Sequence, residues 1–229
     1  MIKAVLFDLD GTLYDRDALA TTLFEQQYRA FASELRGISR ERFLRDVHEM
    51  DEHGHGEKAP GYARLVRAWQ LDEPLALRLL EHFFTTYLSA CAPSEDVANT
   101  LRELRARGLK LGVITNGQTP LQRRKLAALA LDGSFDTILV SGEEGVRKPD
   151  AEIFRRALAR IDVEARDAMF VGDHPIADVE GSHRAGLLAV WKFVPYWPPP
   201  RVPNAPVIDS LHEILPILTN GDRSIFERK

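Results

Sequence analysis

The stretch VLFDLDGTLY, residues 5–14, runs from a short apolar segment directly into Asp8, Leu9, Asp10 and a Gly-Thr pair. Its apolar start predicts a buried strand within KAVLFDL, residues 3–9. Asp8 and Asp10 are two residues apart, so their side chains leave an extended backbone on the same side. Two like charges in this position repel each other unless water or a cation separates them. The motif therefore indicates either a solvated turn or a binding site for a cation.

The composition narrows the class of protein. The chain has 229 residues, 45% hydrophobic and 28% charged, which are ordinary values for a globular protein with a substantial core. A net charge of −4 without a basic run disfavours nucleic-acid binding. The single cysteine, Cys91, excludes an internal disulfide, and no stretch approaches the roughly 18 apolar residues that span a bilayer. The N-terminal apolar run is too short for a signal peptide. We expect a cytoplasmic monomer or homodimer that binds neither nucleic acid nor membrane.

Helical patterns fill residues 15–90. Apolar spacing predicts one helix over residues 17–37, a second that begins at Ser39, and a third that begins at Asp72. The glycine-rich stretch HGHGEKAPG, residues 53–61, interrupts this region as a hinge.

Strands and helices alternate after Pro93, which predicts a parallel sheet covered on both faces. We therefore expect an α/β fold, a doubly wound parallel sheet (Rossmann-like core), with an inserted α-helical cap domain. The core would comprise residues 1–14 and 91–229, and the cap residues 15–90. An insertion directly after the first strand lies near the crevice where such sheets bind ligands, so it is a candidate lid. The predicted strands are 109–115, 135–141, 167–173 and 187–193, and the predicted helices are 94–107, 149–161, 175–186 and one from Thr119 with a capping box to Gln122.

Polar residues follow four of the predicted strands. Asp8 and Asp10 follow the first, and Thr115 with Asn116 ends the second, in VITNG. The third leads through SGEEGVRKPD to Lys148, and the fourth ends in VGDHPIAD. The last of these motifs contains Asp173 and Asp178. Because the carboxyl ends of parallel strands lie along one edge of the sheet, these sites can converge on one pocket.

Taken singly, these residues also have structural interpretations. Thr115 and Asn116 could begin a turn, and Lys148 could be an ordinary exposed residue. Asp178 could be an acid in the first turn of a helix. The order of the motifs makes the functional interpretation stronger. DLDGT, TN, KP after a glycine-rich turn, and GDxxxxD occur in this order, and together they resemble the haloacid dehalogenase-like (HAD) hydrolase superfamily. The helical insert resembles the branch of that superfamily with a larger cap.

The resemblance implies a role for each matching residue. A carboxylate can act as a nucleophile toward a phosphoryl group, and we expect Asp8 to form an aspartyl phosphate. Asp10 would act as general acid and then general base, for which it must start protonated, with neighbouring anions raising its pKa. Mg²⁺ together with a lysine would balance the acids and the phosphate. The implied catalytic residues are Asp8 and Asp10, and the implied phosphate-binding residues are Thr115, Asn116 (through its backbone N–H) and Lys148. The implied metal site comprises Asp8, the Asp10 carbonyl, Asp173 and Asp178. Asp178 would hold a metal-bound water or orient the lysine.

The sequence thus predicts a Mg²⁺-dependent phosphomonoesterase acting on a small phosphorylated metabolite. The alternatives are a phosphomutase similar to β-phosphoglucomutase, a haloacid dehalogenase, and a non-catalytic phospho-receiver. A halide leaves without a proton, so Asp10 argues against dehalogenation. A receiver is shorter and lacks the insert.

Two features of the sequence are less specific. His174 departs from the Ser or Thr usual in its motif, and it could cap the following helix or touch the phosphate. His55, Lys58 and Tyr62 are candidate specificity residues because of their place near the predicted hinge. A metal site at HGH with Glu52 is a weaker alternative for the same stretch.

Overall fold

A computed structural model of the chain describes residues 1–91 and 95–219. The chain divides into two compact units, of which one is the inserted segment Asp15–Cys91 and the other is formed by the described residues outside it. Among the described residues, no helix is both long enough and apolar enough to cross a bilayer.

The larger unit contains a six-stranded sheet in which every neighbouring pair is parallel. This confirms the predicted doubly wound α/β class. The first strand is central, with Val5 opposite Leu111 on one side and Met169 on the other. All four of its residues are buried, which explains its uninterrupted apolar sequence. The strands are β1 (Ala4–Phe7), β2 (Lys110–Thr115), β3 (Thr137–Val140), β4 (Ala168–Gly172), β5 (Leu188–Lys192) and β6 (Val207–Ile208), in the spatial order β3-β2-β1-β4-β5-β6.

The position of β1 determines where the functional residues lie. The chain order runs outward from β1 through β2 to β3 on one side, and through β4 to β6 on the other. In an open α/β sheet, ligands bind outside the carboxyl ends of the strands at such a point of reversal. Asp8 follows β1 and Asp173 follows β4, so neighbouring strands deliver both carboxylates to this point.

The inserted unit consists of four helices: α1 (Arg16–Ala30), α2 (Arg40–Asp51), α3 (Lys58–Ala68) and α4 (Pro74–Ala90). Ser39 caps α2 as predicted, since its side chain accepts a hydrogen bond from the Arg42 N–H. The helix predicted over 17–37 is too long, because regular α-helix ends at Ala30 and gives way to turns.

The glycine-rich stretch at 53–61 is also more ordered than predicted. Glu52–Gly54 forms a 3₁₀ turn, and α3, which the sequence analysis missed, already begins at Lys58. Pro60 is tolerated because it lies in the first turn of α3, where no intrahelical N–H is needed. Gly61 lets α3 approach α2 closely, since a Cβ at this position would lie 2.5 Å from the Met50 sulfur.

Six helices belong to the larger unit in the described part of the chain. They are α5 (Glu95–Ala106), α6 (Thr119–Ala128), α7 (Ser141–Glu144), α8 (Ala151–Arg160), α9 (Gly181–Arg184) and α10 (Ile214–Thr219). The segment predicted as one helix over 175–186 is instead a π-helical segment, Pro175–Glu180, followed by α9. The predicted start of the helix at 94–107 includes Ser94, which lies outside the described residues. Apolar residues of α8, among them Phe154, pack on Leu6 and Phe170 of the sheet.

Candidate active site

Three buried carboxylates lie at the carboxyl edge of the sheet. Oxygens of Asp8, Asp173 and Asp178 all lie within 4.8 Å of one another. The Asp8 N–H continues the sheet by donating to the Val171 carbonyl at 2.9 Å. The Trp191 indole N–H donates to the Asp173 carbonyl at 2.8 Å, so β5 fixes the backbone at the end of β4. The sheet therefore brings these acids together through neighbouring strands.

Two glycines leave space for these carboxylates. Gly11 has a φ of +83°, and a Cβ there would lie 2.6 Å from Oδ2 of Asp173. A Cβ on Gly172 would lie 2.5 Å from Oδ2 of Asp178. A side chain at either position would displace a carboxylate, so these glycines are required for the close packing of the acids.

A single buried lysine contacts two of the acids. Nζ of Lys148 lies 2.5 Å from Oδ1 of Asp8 and 2.7 Å from Oδ1 of Asp178, and Lys148 is 2% exposed. The backbone at Lys148 is held by the Asn116 side chain, which donates to the Lys148 carbonyl at 2.9 Å and accepts from the Lys148 N–H at 3.0 Å. Asn116 thus connects the end of β2 to the backbone at Lys148, and both the oxygen and the nitrogen of its side-chain amide are used in that contact.

The charge in this cluster is unbalanced, because it has three carboxylates and one ammonium group, which contacts two of them. Burial raises the pKa of Asp8 to about 7; Lys148 opposes the shift, and Asp178 and Asp10 add to it. Burial and the neighbouring Asp8 and Asp178 raise the pKa of Asp173 well above its usual range. A divalent cation would supply the missing positive charge. A compact set of hard carboxylate oxygens matches the ligand preference of Mg²⁺ or Ca²⁺, so the residues present fit a metal ion of this kind.

Asp10 has a different environment, formed by three side chains that we call the Asp10 donor cluster: Tyr14, Gln122 and Lys125. The Tyr14 hydroxyl donates to Oδ1 of Asp10, and Nζ of Lys125 lies 2.6 Å from the same oxygen. Nε2 of Gln122 donates to Oδ2 of Asp10 at 2.8 Å and lies 2.5 Å from the Thr115 hydroxyl oxygen.

This environment reverses one expectation. Burial alone would raise the pKa of Asp10, but Lys125 and the hydrogen bonds from the donor cluster outweigh it and hold that pKa well below its usual range. The prediction that neighbouring anions raise the pKa of Asp10 is therefore wrong for this structure. The physical reason is that the side chains in contact with Asp10 are one lysine and two neutral hydrogen-bond donors.

The donor cluster was missed by the sequence analysis. Gln122 was assigned to a capping box with Thr119, but the structure has no side-chain cap at this helix start. Gln122 and Lys125 are buried on α6 one turn apart, at i and i+3, and so share a face. The shared helical face of Gln122 and Lys125 was the available signal, but the neighbouring Arg123 and Arg124 give this stretch the look of an exposed basic segment.

The structure brings the core-motif residues together in two connected groups. Asp8, Asp178 and Asn116 meet at Lys148, with Asp173 beside Asp8. In the second group, Asp10 is joined to Thr115 through Gln122.

His174 makes the helix-capping contact that was one of its two predicted roles. Its Nδ1 accepts hydrogen bonds from the N–H groups of Ile176 and Ala177 at 3.2 and 3.1 Å, which is a helix-capping contact. Its own N–H donates to Oδ2 of Asp178 at 3.0 Å, and its ring packs against that of Trp197 in a tilted arrangement, at a centroid distance of 4.4 Å and an angle of 41°. Nδ1 acts as the acceptor that a Ser or Thr hydroxyl usually supplies at a helix start.

The three candidate specificity residues have different positions within the inserted unit. Tyr62 is 0% exposed and donates to Oε1 of Gln27 at 2.9 Å. The selection of Tyr62 was therefore wrong, because a side chain enclosed in the core of its own unit has no surface to offer a ligand. The Lys58 side chain is largely buried, and its Nζ lies 3.1 Å from Oδ1 of Asp51, so the carboxylate of Asp51 already compensates its charge. His55 is exposed and stays a candidate.

The fold and the site together define an α/β protein with a buried acidic cluster, of a kind that fits a divalent cation, at the carboxyl edge of a parallel sheet. A sequence model of the haloacid dehalogenase-like hydrolases matches residues 2–186. The chain is 34% identical over 194 residues to glyceraldehyde 3-phosphate phosphatase of Methanopyrus kandleri, covering 83% of each chain. The chain belongs to the haloacid dehalogenase-like hydrolase family.

Two solved structures share both fold and detectable sequence similarity with the chain. One is a HAD phosphatase from Thermococcus onnurineus, at 29% identity and a TM-score of 0.62, covering 95% of this chain and 98% of the other. The second is a 2-haloacid dehalogenase from Pseudomonas syringae, at 27% identity and a TM-score of 0.63, covering 97% of this chain and 100% of the other. The family therefore includes both chemistries, and the site residues must decide between them.

Proposed function

We propose that this chain is a Mg²⁺-dependent phosphomonoesterase that hydrolyses a small phosphorylated metabolite through an aspartyl phosphate. The observation that carries the proposal is the buried cluster of Asp8, Asp173 and Asp178 around one lysine, which has more negative charge than Lys148 balances. Such a cluster suits a divalent cation and, through it, an anionic substrate. The similarity to a protein named as a phosphatase supports the same activity.

The first half-reaction forms the covalent intermediate. An Asp8 carboxylate oxygen attacks phosphorus, the bond from phosphorus to the substrate oxygen breaks, and that oxygen takes a proton from Asp10. Because the donor cluster favours ionised Asp10, proton uptake by Asp10 must accompany binding of the phosphoester. In the second half-reaction a water oxygen attacks the same phosphorus, its proton passes to Asp10, and the bond to Asp8 breaks to release inorganic phosphate.

The buried acidic cluster supports the metal ligands that we propose. When bound, Mg²⁺ would neutralise developing charge on the phosphoryl oxygens. We assign the carboxylates of Asp8 and Asp173 and the Asp10 carbonyl as its ligands. Asp178 is engaged by Lys148 and by the His174 N–H, which supports its role in orienting the lysine.

The phosphoryl oxygens need donors of their own. We assign the Thr115 hydroxyl, the Asn116 N–H and the Lys148 ammonium group to them, because donors fixed before reaction stabilise charge where it develops. Thr115 and Lys148 are both buried, at 1% and 2% exposure, so they are held in place by packing.

We assign substrate selection to the inserted unit as a cap. The chain enters this unit directly after Tyr14, whose hydroxyl contacts Asp10, so the cap is covalently adjacent to the proposed acid. A lid suits a small metabolite that it can enclose. His55 is the exposed candidate for contact with that metabolite.

Carbon–halogen hydrolysis is the second candidate, because one similar structure is a haloacid dehalogenase. A departing halide needs no proton, and its chemistry does not require a metal to balance a phosphate. That reaction requires neither the donor cluster around Asp10 nor the uncompensated carboxylates near Lys148. These residues favour phosphate ester hydrolysis.

A phosphate-release assay over a panel of phosphorylated metabolites, with MgCl₂ or with EDTA, tests the proposal. We expect release with Mg²⁺, none with EDTA, and none from Asp8→Asn with its fold intact by circular dichroism. Asp209→Asn is the matched control, since it makes the same change at an exposed acid of the same unit. Chloride release from a 2-haloacid without phosphate release from any ester would overturn the proposal, as would wild-type rates in Asp8→Asn.

A further inference from the structure

Two polar residues of α6 are buried at the same edge of the sheet without being part of the four sequence motifs. Gln122 is 2% exposed and Lys125 is 8% exposed. Burying an amide and an ammonium group costs free energy unless each finds partners, so their partners indicate why they are there. Both are directed at Asp10, from 112 and 115 residues further along the chain.

The Asp10 carboxylate determines which way the Gln122 amide faces. Oδ1 of Asp10 accepts hydrogen bonds from the Lys125 ammonium group and the Tyr14 hydroxyl. Oδ2 accepts a hydrogen bond from Nε2 of Gln122 at 2.8 Å. The amide nitrogen of Gln122, and not its oxygen, lies against this carboxylate, because the nitrogen carries the N–H donors and the carboxylate oxygen is the acceptor. Both carboxylate oxygens are then occupied, and the rotation of the Asp10 side chain is fixed.

The same amide nitrogen also reaches Thr115. Nε2 of Gln122 lies 2.5 Å from Oγ1 of Thr115, and an amide has a second N–H to donate there. The Thr115 oxygen then accepts from Gln122, which leaves its own proton to be donated to another group. One side chain therefore sets the direction of two others, the Asp10 carboxylate and the Thr115 hydroxyl.

The backbone after β2 is shaped to admit Gln122. Gly117 has a φ of +153°, and a Cβ there would lie 2.9 Å from both Cγ and Cδ of Gln122. Any side chain at position 117 would push Gln122 away from its two partners. The glycine next to Asn116 thus provides the space that the contact requires.

We propose that Gln122 and Lys125 are positioning residues, in which Lys125 holds the Asp10 carboxylate and Gln122 couples Asp10 to Thr115. This inference rests on the proposed phosphatase function. Neither residue touches the reacting phosphorus; each acts through Asp10 or through Thr115. Lys125 acts through Asp10, which serves both half-reactions, whereas Gln122 also acts through Thr115 on the binding of the phosphoryl oxygens.

The different leaving groups of two substrates separate these roles. p-Nitrophenolate is a weak base that departs without a proton, whereas an alkoxide needs one from Asp10. We compare kcat/KM for p-nitrophenyl phosphate with kcat/KM for the alkyl phosphate turned over fastest in the metabolite panel, because kcat/KM reports formation of the aspartyl phosphate, and its hydrolysis is common to both substrates. For Lys125→Met we expect kcat/KM to fall by about 10–100-fold with the alkyl phosphate, since a displaced catalytic group can cost about 10² in rate, and by less than about 3-fold with the aryl phosphate. Lys125→Arg should restore the ratio of the two rates.

Arg124→Met is the matched control, because it removes a positive charge from an exposed position of the same helix. A purely structural role for Lys125 would lower both rates together and leave their ratio unchanged, which would overturn the inference. If Lys125→Met does not fold, the ratios in Lys125→Arg and Gln122→Leu decide instead. A wild-type protein that releases phosphate from neither substrate refutes the proposed function, and that outcome is distinct from an unchanged ratio in an active protein.

A double-mutant cycle tests the coupling to Thr115. Gln122→Leu should lower kcat/KM for both substrates, with the larger loss for the alkyl phosphate. With p-nitrophenyl phosphate, adding Gln122→Leu to Thr115→Val should cost less than about 2-fold, because Thr115 is the route by which Gln122 acts on that substrate. Independent, multiplicative losses would overturn the coupling.

Discussion

Replacing Lys148 by methionine should destabilise the protein strongly, because this side chain is the cation between two buried acids. Its Nζ lies 2.5 Å from Asp8 and 2.7 Å from Asp178, and both acids are at most 7% exposed. Removing one partner of a buried ion pair costs about 3–5 kcal/mol, because the remaining charge stays buried without compensation. We expect a loss of this size in the free energy of unfolding, in EDTA at neutral pH.

Metal binding should reduce that loss. A divalent cation bound at the folded acidic cluster would supply the charge that methionine lacks, so Lys148→Met should gain more from saturating MgCl₂ than the wild type does. Urea denaturation followed by tryptophan fluorescence, with MgCl₂ and with EDTA, measures both quantities. Lys148→Met combined with Asp178→Asn should recover part of the lost stability, since it removes one uncompensated carboxylate.

An exposed lysine provides the control. Lys3 pairs with Asp167 at 2.7 Å, but its side chain is 65% exposed, so Lys3→Met should cost no more than about 1 kcal/mol. Distance alone would predict similar losses for the two lysines; burial predicts very different ones. A loss in Lys148→Met as small as that in Lys3→Met would refute the electrostatic reasoning.

Three further changes test other parts of the account. Gly172→Ala should weaken Mg²⁺ binding by about 10–100-fold in calorimetric titration, because its Cβ would lie 2.4 Å from the Cβ of Asp178 and displace that carboxylate. Asp51→Asn should lower the free energy of urea unfolding at pH 7 by about 3 kcal/mol, since Asp51 pairs with buried Arg16 at 2.6 Å. His174→Ala should lower the free energy of unfolding, measured by thermal denaturation, by about 0.5–2 kcal/mol through loss of a helix cap, and His174→Asn should retain most of the stability of the wild type.

The Asp51 prediction has a defined pH dependence. Burial raises the pKa of Asp51, but Arg16 and Lys58 outweigh it and hold that pKa below its usual value. Stability from such a group is present above its unfolded pKa of about 4 and is lost as the pH falls through the folded pKa. The difference between wild type and Asp51→Asn should therefore shrink below about pH 4.

Each of these three predictions can fail clearly. Unchanged Mg²⁺ affinity in Gly172→Ala would show that Asp178 does not depend on the space at that glycine. A stability gap for Asp51→Asn that is the same at pH 3 and pH 7 would contradict the assigned ion pairs. Equal stability of His174→Ala and wild type would show that the His174 cap contributes nothing.

The sheet could be predicted from the sequence because each strand is marked by residues within it or directly after it. The apolar run before Asp8 marks a strand buried on both faces, and the polar residues directly after each strand mark the edge that they share. The order of the strands is enough to predict that Thr115 and Lys148, which follow strands of the same sheet, lie near Asp8. The ends of helices were less predictable, as the early end of α1 at Ala30 shows, because tertiary packing decides where an amphipathic pattern stops being helical.

The surroundings of Asp10 could not be predicted because their contacts are not local. Gln122 fits a capping box with Thr119 just as well in the sequence, and only the fold shows that its amide meets Asp10 instead. Lys125 lies on an exposed-looking basic stretch, yet the fold buries it. The low pKa of Asp10 follows from these two distant side chains, whereas a count of nearby aspartates in sequence predicts the opposite shift.

Trapping the covalent intermediate tests the central claim most directly. Wild-type protein mixed with Mg²⁺ and its best substrate, quenched in acid within the first turnover and digested, should yield a peptide phosphorylated at Asp8 that disappears as inorganic phosphate is released. Steady release of phosphate with no phosphoryl group on Asp8 at any quench time, or the same label persisting in Asp8→Asn, would contradict the account.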